Sequence, residues 1–334
     1  MRIPSSLYVA VCLGAAVTAH SSQPREGIPF LDAHVHLNDP DSALVLLHRK
    51  GVQAAIVFIG ARGSNDEMLQ AAHRSGGRLI PFASVSPERA EYRERWQRGD
   101  TSIVGELDAA LQHGPFRGIG EISVVHFASD GPTAGSSSAG AARGTRRLAA
   151  RRGDSLALPR PTAARASGGF PEADFDPSGA IMRGIMRVAE RRRLPVMIHC
   201  EVTRLREFEM LLKAFPAVRV IWAHGGYTPL VLASRMLDNH PNLVYELSAR
   251  TWSRHPRSPD YTIFRNDSLV WPEWIALIER HSGRVIVGTD ASQRSVEDDG
   301  RKIDRVRLLL GQLSDTTRKR VAIENVLRLV TPVR

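Results

Sequence analysis

Cysteine is almost absent from this chain: Cys12 and Cys200 are the only two in 334 residues. A disulfide-stapled scaffold and a Cys-rich zinc module are therefore excluded. No G-x-G-x-x-G follows the first apolar run, so a dinucleotide-binding fold has no support. Long apolar stretches are missing too; after an N-terminal run over Leu7–Ala19, no segment reaches the length needed to span a bilayer. One region, 131–170, lacks lysine and holds a single acid, Asp154, while 25 of its 40 positions are Gly, Ala, Ser or Pro and seven are Arg. It shows no strand or helix period and reads as a low-complexity basic loop, either an inserted arm or a stretch translated in the wrong frame.

What remains is ordinary globular composition, 43% hydrophobic and 24% charged, in a chain long enough for one large barrel. The formal charge of +10 raises the question of an anionic partner, but the 131–170 loop accounts for +6 of it and Arg2 for one more, leaving +3 for the rest. The loop's arginines are not interleaved with Tyr or Trp, so nucleic acid is not the expected partner. A basic binding protein with the barrel as mere scaffold stays open as the non-enzymatic reading. The N-terminus has the form of a signal peptide over 1–19: Met1-Arg2, an apolar run, then small residues ending in Val17-Thr18-Ala19. The expectation is a periplasmic or secreted protein without a stable membrane span once the leader is removed. An uncleaved leader acting as a tether is the alternative. Cleavage after Ala19 would leave Cys200 as the only cysteine.

From residue 28 onward a short apolar run, a polar break and an amphipathic stretch alternate. The apolar runs cover 30–36, 54–59, 79–85, 118–124, 195–200, 218–223, 243–247 and 284–288. They are continuous rather than alternating, which suits strands covered on both faces of a parallel sheet. Ser64-Asn65-Asp66-Glu67 has capping-box spacing, and Gly76-Gly77 ends the helix that follows. Asp176-Pro177 opens a helix over 181–191, and Thr228-Pro229 places a cap and then Pro at a first helical position. Eight such alternations predict a (β/α)8 TIM barrel, one catalytic domain over 28–334 interrupted by the 131–170 loop.

Metal-ligand residue types stand directly after these strands. Asp32-Ala33-His34-Val35-His36 ends the first, and i, i+2 spacing turns both histidines to one side, with Asp32 as their neighbour. Glu121 ends the fourth strand, His199 the fifth, His224 the sixth and Asp290 the eighth. Any one of these could be a satisfied core histidine or a capping acid. Six at the C-terminal rim of one barrel, where active sites of this fold are built, point to a metal centre. Glu201, Glu246, Ser248 and Arg250 are further candidates, for substrate contact. Arg254 and His255 lie farther along the same loop, and His126 reads as filler rather than ligand. Cys200, facing opposite to His199, is expected as a small core residue.

The ordered set H-x-H, G-E, I-H-C, A-H-G and G-T-D resembles the amidohydrolase superfamily of metal-dependent hydrolases, and within it the amidohydrolase-related, TatD-like branch. The ending Asn325-Val326-Leu327-Arg328-Leu329 is similar to the Asn-x-x-Arg-Leu ending common there. The resemblance implies that His34 and His36 hold a divalent cation together with Asp290. His199 and His224 would hold a second; in a one-metal member His199 joins the first site and His224 meets substrate. Glu121 matches a bridging carboxylate; no Lys lies near the fourth strand to take the carboxylated-lysine role of many relatives. One or two ions are implied, zinc foremost, with manganese, iron or nickel also suited to these ligands. The metal would acidify a water, and Asp290 would act as general base and then acid. The expected reaction is hydrolysis of an amide, ester, lactone or phosphoester of a small molecule. The alternative is the metal-dependent non-oxidative decarboxylation known in the same branch.

Overall fold

The computed structural model describes residues 27–60, 63–127, 172–251 and 262–331. The leader, the 131–170 loop, Arg254 and His255 lie outside the described residues. Eight parallel strands follow one another in chain order: β1 (Leu31–Leu37), β2 (Ala54–Ile59), β3 (Leu79–Ala83), β4 (Gly118–His126), β6 (Val196–Cys200), β7 (Val220–Trp222), β8 (Leu243–Glu246) and β9 (Val285–Ile286). The short β5 (Ala173–Asp174) pairs antiparallel with the end of β4. The last strand returns to the first: Ala33 N donates to Val287 O (2.9 Å), Asp290 N to His34 O (2.9 Å) and His36 N to Ala291 O (2.8 Å). This is the predicted (β/α)8 barrel, with every strand end on one rim.

The strands form because their residues are apolar and buried on both faces. One set of side chains, including Phe58, Phe82, Met197, Ile221 and Ile286, fills the barrel interior, and a second packs outward against the helices. Local chemistry sets the helix ends. Ser64 Oγ accepts from Glu67 N (3.2 Å) at the start of α2 (Asn65–Arg74), and Gly76 and Gly77 follow that helix with positive φ. Two expected caps are displaced. Helix α7 (Leu230–Asn239) starts one residue later than Thr228-Pro229 suggests, because the Thr228 hydroxyl donates to Gly225 O (2.8 Å) in the preceding turn. Asp176 caps the turn at Ser178 (2.8 Å), and α5 (Ala180–Arg192) begins after it. Among the described residues no helix is long and apolar enough to cross a membrane.

Helix α11 (Asn325–Val330) closes the bottom of the barrel, with Val326 and Leu329 in the interior cluster. Asn325 is buried and its Nδ2 donates to Ser282 O and Val285 O, both at 2.7 Å. These bonds tie the closing helix to the strand that leads to Asp290. Replacing Asn325 by Ala strands two carbonyls, at about 1–3 kcal/mol each. Asn325→Ala is therefore expected to lower unfolding free energy by about 2–4 kcal/mol in denaturant titration. Any metal uptake by the strand-end residues of the opposite rim should be unchanged.

Candidate metal centre

Glu121 stands in the middle of the barrel mouth with both carboxylate oxygens committed. Its Oε2 lies 3.2 Å from Nε2 of His34 and 3.2 Å from Nε2 of His36. Its Oε1 lies 3.1 Å from Nδ1 of His199 and 3.7 Å from Nε2 of His224. Asp290 Oδ1 joins the first pair, 3.3 Å from His36 Nε2 and 3.8 Å from His34 Nε2. The six strand-end residues thus converge into two neighbouring ligand groups that share Glu121.

The donor set fits divalent cations. Nε2 of His34 and Nε2 of His36 face each other at 3.3 Å with the same carboxylate oxygen against both. Ligand atoms about 2.0–2.1 Å from a tetrahedral ion stand about 3.3–3.4 Å apart, so these spacings match one face of such a site. Electrostatics point the same way. Burial works against a charged His36, yet Asp290 and Glu121 outweigh it and raise its pKa to about 9. Burial likewise opposes a charged His199, and Glu121 and Glu201 raise it to about 10. Glu121, despite a burial that favours its neutral form, is held well below the usual carboxylate range by His34 and its other imidazole neighbours. His224 differs: burial lowers it to about 4, so its ring is neutral. The pocket holds Glu121 and Asp290 ionised and demands positive charge, which protons supply when a metal does not.

A buried layer orients these ligands. Glu246 Oε2 lies 3.3 Å from His34 Nδ1, accepts from His224 N (3.1 Å) and accepts from the Ser248 hydroxyl (2.7 Å). Nδ1 of His224 meets Ser248 O at 3.1 Å and Ser248 Oγ at 2.9 Å. Asp32 accepts from Thr289 N (2.9 Å), Thr289 Oγ1 (2.6 Å) and His34 N (3.1 Å), locking the H-x-H strand to the strand end that carries Asp290. Such partners fix the tautomer and direction of metal-binding imidazoles.

His224 and Asp290 both take left-handed backbone, φ 55° and 53°, a conformation that costs an L-residue about 1–2 kcal/mol. At His224 it belongs to a turn continued through Gly225, Gly226 and Tyr227, and a Cβ at Gly225 would run into the Tyr245 ring. The turn stacks the His224 ring between His34 (centroids 5.0 Å, 17°) and Tyr227 (5.1 Å, 13°).

Two residues read as substrate contacts are placed elsewhere. Glu246 and Arg250 are fully buried beneath the site. Glu246 holds histidines, as described. Arg250 donates through Nη2 to Thr228 O (2.9 Å), steadying the turn that carries His224, and lies 4.9 Å over the Trp274 ring. Glu201, the third such candidate, is buried with Oε1 at 3.5 Å from His199 Nε2, and Oε1 also accepts from Phe127 N (3.1 Å). Cys200 is a buried core residue, as its strand position suggests, and burial pushes its thiol pKa up.

His126 departs from the sequence reading. Its Nδ1 lies 3.3 Å from His199 Nε2 and 3.3 Å from Glu201 Oε1, so it joins a ligand-capable group rather than filling space. Five residues separate it from Glu121, and simple alternation would put the two on opposite faces. The structure inserts an extra residue in β4 between Ser123 and Val125, opposite His199 and Cys200, and that bulge restores His126 to the side of Glu121. Ser248, another candidate substrate contact, instead lies against His224 and Glu246, and Tyr227 completes the site without having been singled out; only its position just after a strand end hinted at it.

Two outcomes follow from this layer. Glu246→Ala, which removes the carboxylate behind Nδ1 of His34, should weaken metal binding about 10–100-fold in chelator competition. Metal uptake by metal-free protein near pH 8 should release at least the protons of His36 and His199, whose pKa values of about 9 and about 10 leave both rings charged there. Apparent affinity then falls as pH is lowered, because protons occupy the same nitrogens. Calorimetry in buffers of different ionisation enthalpy measures the count.

Comparison with known proteins places the chain. None of the curated proteins compared matches it significantly. Among solved structures, an apo protein from Agrobacterium tumefaciens superposes with TM-score 0.51 at 15% identity, covering 93% of this chain and 98% of the other. A Staphylococcus aureus protein assigned as an amidohydrolase gives TM-score 0.53 at 11% identity, with coverages of 90% and 99%. An uncharacterised TIM-barrel protein from Bordetella bronchiseptica gives 0.51 at 11%, with 90% and 98%. At these identities the likeness is one of fold. The family model described as Amidohydrolase matches residues 31–330, nearly the whole barrel, and the chain belongs to that family.

Proposed function

We propose that this protein is a metal-dependent hydrolase of a small molecule, with two cation positions sharing Glu121. The reading rests on one observation above all: each oxygen of the Glu121 carboxylate faces a different histidine group, Oε2 toward His34 and His36 and Oε1 toward His199 and His224. A single-ion site would leave one of these oxygens without a role. Zinc suits the imidazole-rich set best, and manganese, iron or nickel fit the same ligands.

His34, His36 and Asp290 would hold one ion and His199 and His224 the other. When bound, a divalent cation supplies Lewis acidity to the scissile carbonyl or phosphoryl oxygen and acidifies water. The protein's own residues do the rest. Asp290 has the most exposed side chain of the group, 20% accessible against 8% or less for the others, so its carboxylate can meet incoming water and substrate. It takes the proton from the attacking water and returns it to the leaving group. His224, with Nδ1 held by Ser248, keeps Nε2 open as a ligand for the second ion. Glu246, Asp32 and Arg250 keep these groups in place from below.

Elemental analysis of purified protein, with the Glu121→Ala and Asp290→Asn variants beside it, tests the reading. The expected outcome is two ions in the wild type and one in Glu121→Ala. Asp290→Asn should lose about 10²–10⁴-fold in turnover. A panel of amides, esters, lactones and phosphoesters, run beside assays for carbon dioxide release, identifies the reaction. Carbon dioxide without hydrolysis would make the protein a decarboxylase. Absence of bound metal, with no activity restored on adding it, would sink the metal-dependent reading altogether.

A further inference from the structure

His199 is the ligand of the centre whose second ring nitrogen faces a further imidazole and a carboxylate at the rim. Its Nδ1 points at Glu121, 3.1 Å away, while its Nε2 points outward to a separate group. There, His126 Nδ1, His199 Nε2 and Glu201 Oε1 form a nearly regular triangle with edges of 3.3, 3.3 and 3.5 Å. These are again the spacings of one face of a tetrahedral cation site. Two imidazoles and one carboxylate are a borderline donor set that suits Zn²⁺ better than Mg²⁺ or Ca²⁺. The ring of His126 stands edge-on to that of His199, with centroids 4.8 Å apart at 82°, so both nitrogen lone pairs can converge on one point. His126, with a side chain 17% exposed, opens this group to solvent, whereas Glu121 is sealed below it.

We propose that His126, Glu201 and Nε2 of His199 form an additional, weaker cation site on the rim, filled when Zn²⁺ is in excess and joined to the inner centre through the His199 ring. It shares only His199 with the centre of the hydrolase reading and does not depend on which reaction that centre performs. Without the ion, Glu201 Oε1 accepts from Phe127 N and lies against both rings; with it, the same three side-chain atoms would turn to the ion. Occupancy would then withdraw donor strength from the inner ion and crowd the mouth, so excess zinc should inhibit.

The test uses the full chain, stripped with chelator and titrated with Zn²⁺ against a chromophoric indicator. The wild type is expected to show tight binding followed by a weaker phase of one further ion. His126→Ala and His126→Gln should keep the tight phase and weaken the further one by tenfold or more, since losing a ligand costs at least as much as losing an orienting partner. A wild-type isotherm with no ion beyond the tight phase would overturn the proposal. So would a weaker phase unchanged in both His126 variants. If neither variant folds, Glu201→Gln decides, with the weaker phase expected to lose tenfold or more in affinity and an unchanged phase overturning the proposal. Failure of the hydrolase reading looks different: the tight phase itself would be missing, while the weaker phase would still report on the rim site.

Discussion

Everything at the mouth of this barrel answers to one constraint, the burial of the Glu121 carboxylate. An ionised carboxylate in so dry a place is costly unless opposite charge or several donors surround it. Among the described residues Glu121 has no arginine or lysine against it; its neighbours are the rings of His34, His36, His199 and His224. Glu246, Glu201 and Asp290 add further negative charge within reach of the same rings. With neutral imidazoles the cluster is strongly anionic, and with protonated ones the rings repel. A small, strongly charged cation resolves both problems at once, which is the physical reason to read the cluster as a metal centre rather than as an ion-pair network.

Holding that arrangement uses the barrel's least regular backbone. Strand β1 carries an irregular register between Asp32 and Val35, β4 carries two around Glu121 and Val124, and the strand ends at His224 and Asp290 turn left-handed. Each irregularity re-aims a ligand that a straight strand would point elsewhere. The strain is held by buried bonds: Asp32 with Thr289, Glu246 with Ser248 and His224, and Arg250 with Thr228. Rigid strands supply the convergence, while bulges and turns supply the final aim.

The same division explains what the sequence made legible. Strands buried on both faces leave continuous apolar runs, so all eight could be located, and a ligand-type residue after a run is visible by its contrast. His34, His36, Glu121, His199, His224 and Asp290 were found that way. What stayed hidden depends on backbone departures that no periodicity records. A bulge after Ser123 moves His126 to the ligand side, against simple alternation. Glu246 and Arg250 follow a strand end as a substrate contact would, yet a short β8 leaves them inside the wall. The Thr228 cap was misplaced because its hydroxyl found a nearer carbonyl, at Gly225. Net charge misled in another way, since most of the +10 belongs to the 131–170 loop and not to the barrel.

The four imidazoles are also not equivalent, and their tautomers say how. His34 and His224 have Nδ1 against Glu246 and Ser248 O, so each can donate from Nδ1 and turn the Nε2 lone pair inward. His199 is reversed, with Nδ1 inward toward Glu121 and Nε2 outward toward Glu201 and His126. A carboxylate or carbonyl behind a ligand ring fixes its tautomer and strengthens it as a donor. Behind His34 and His224 that support is buried and can only be structural. Behind His199 it reaches the rim and includes a second imidazole, so the strength of this ligand is open to what happens outside the centre. The half of the cluster most exposed to adjustment is therefore the one at His199 and His224, and the route to it runs through a residue that simple strand alternation had turned the other way.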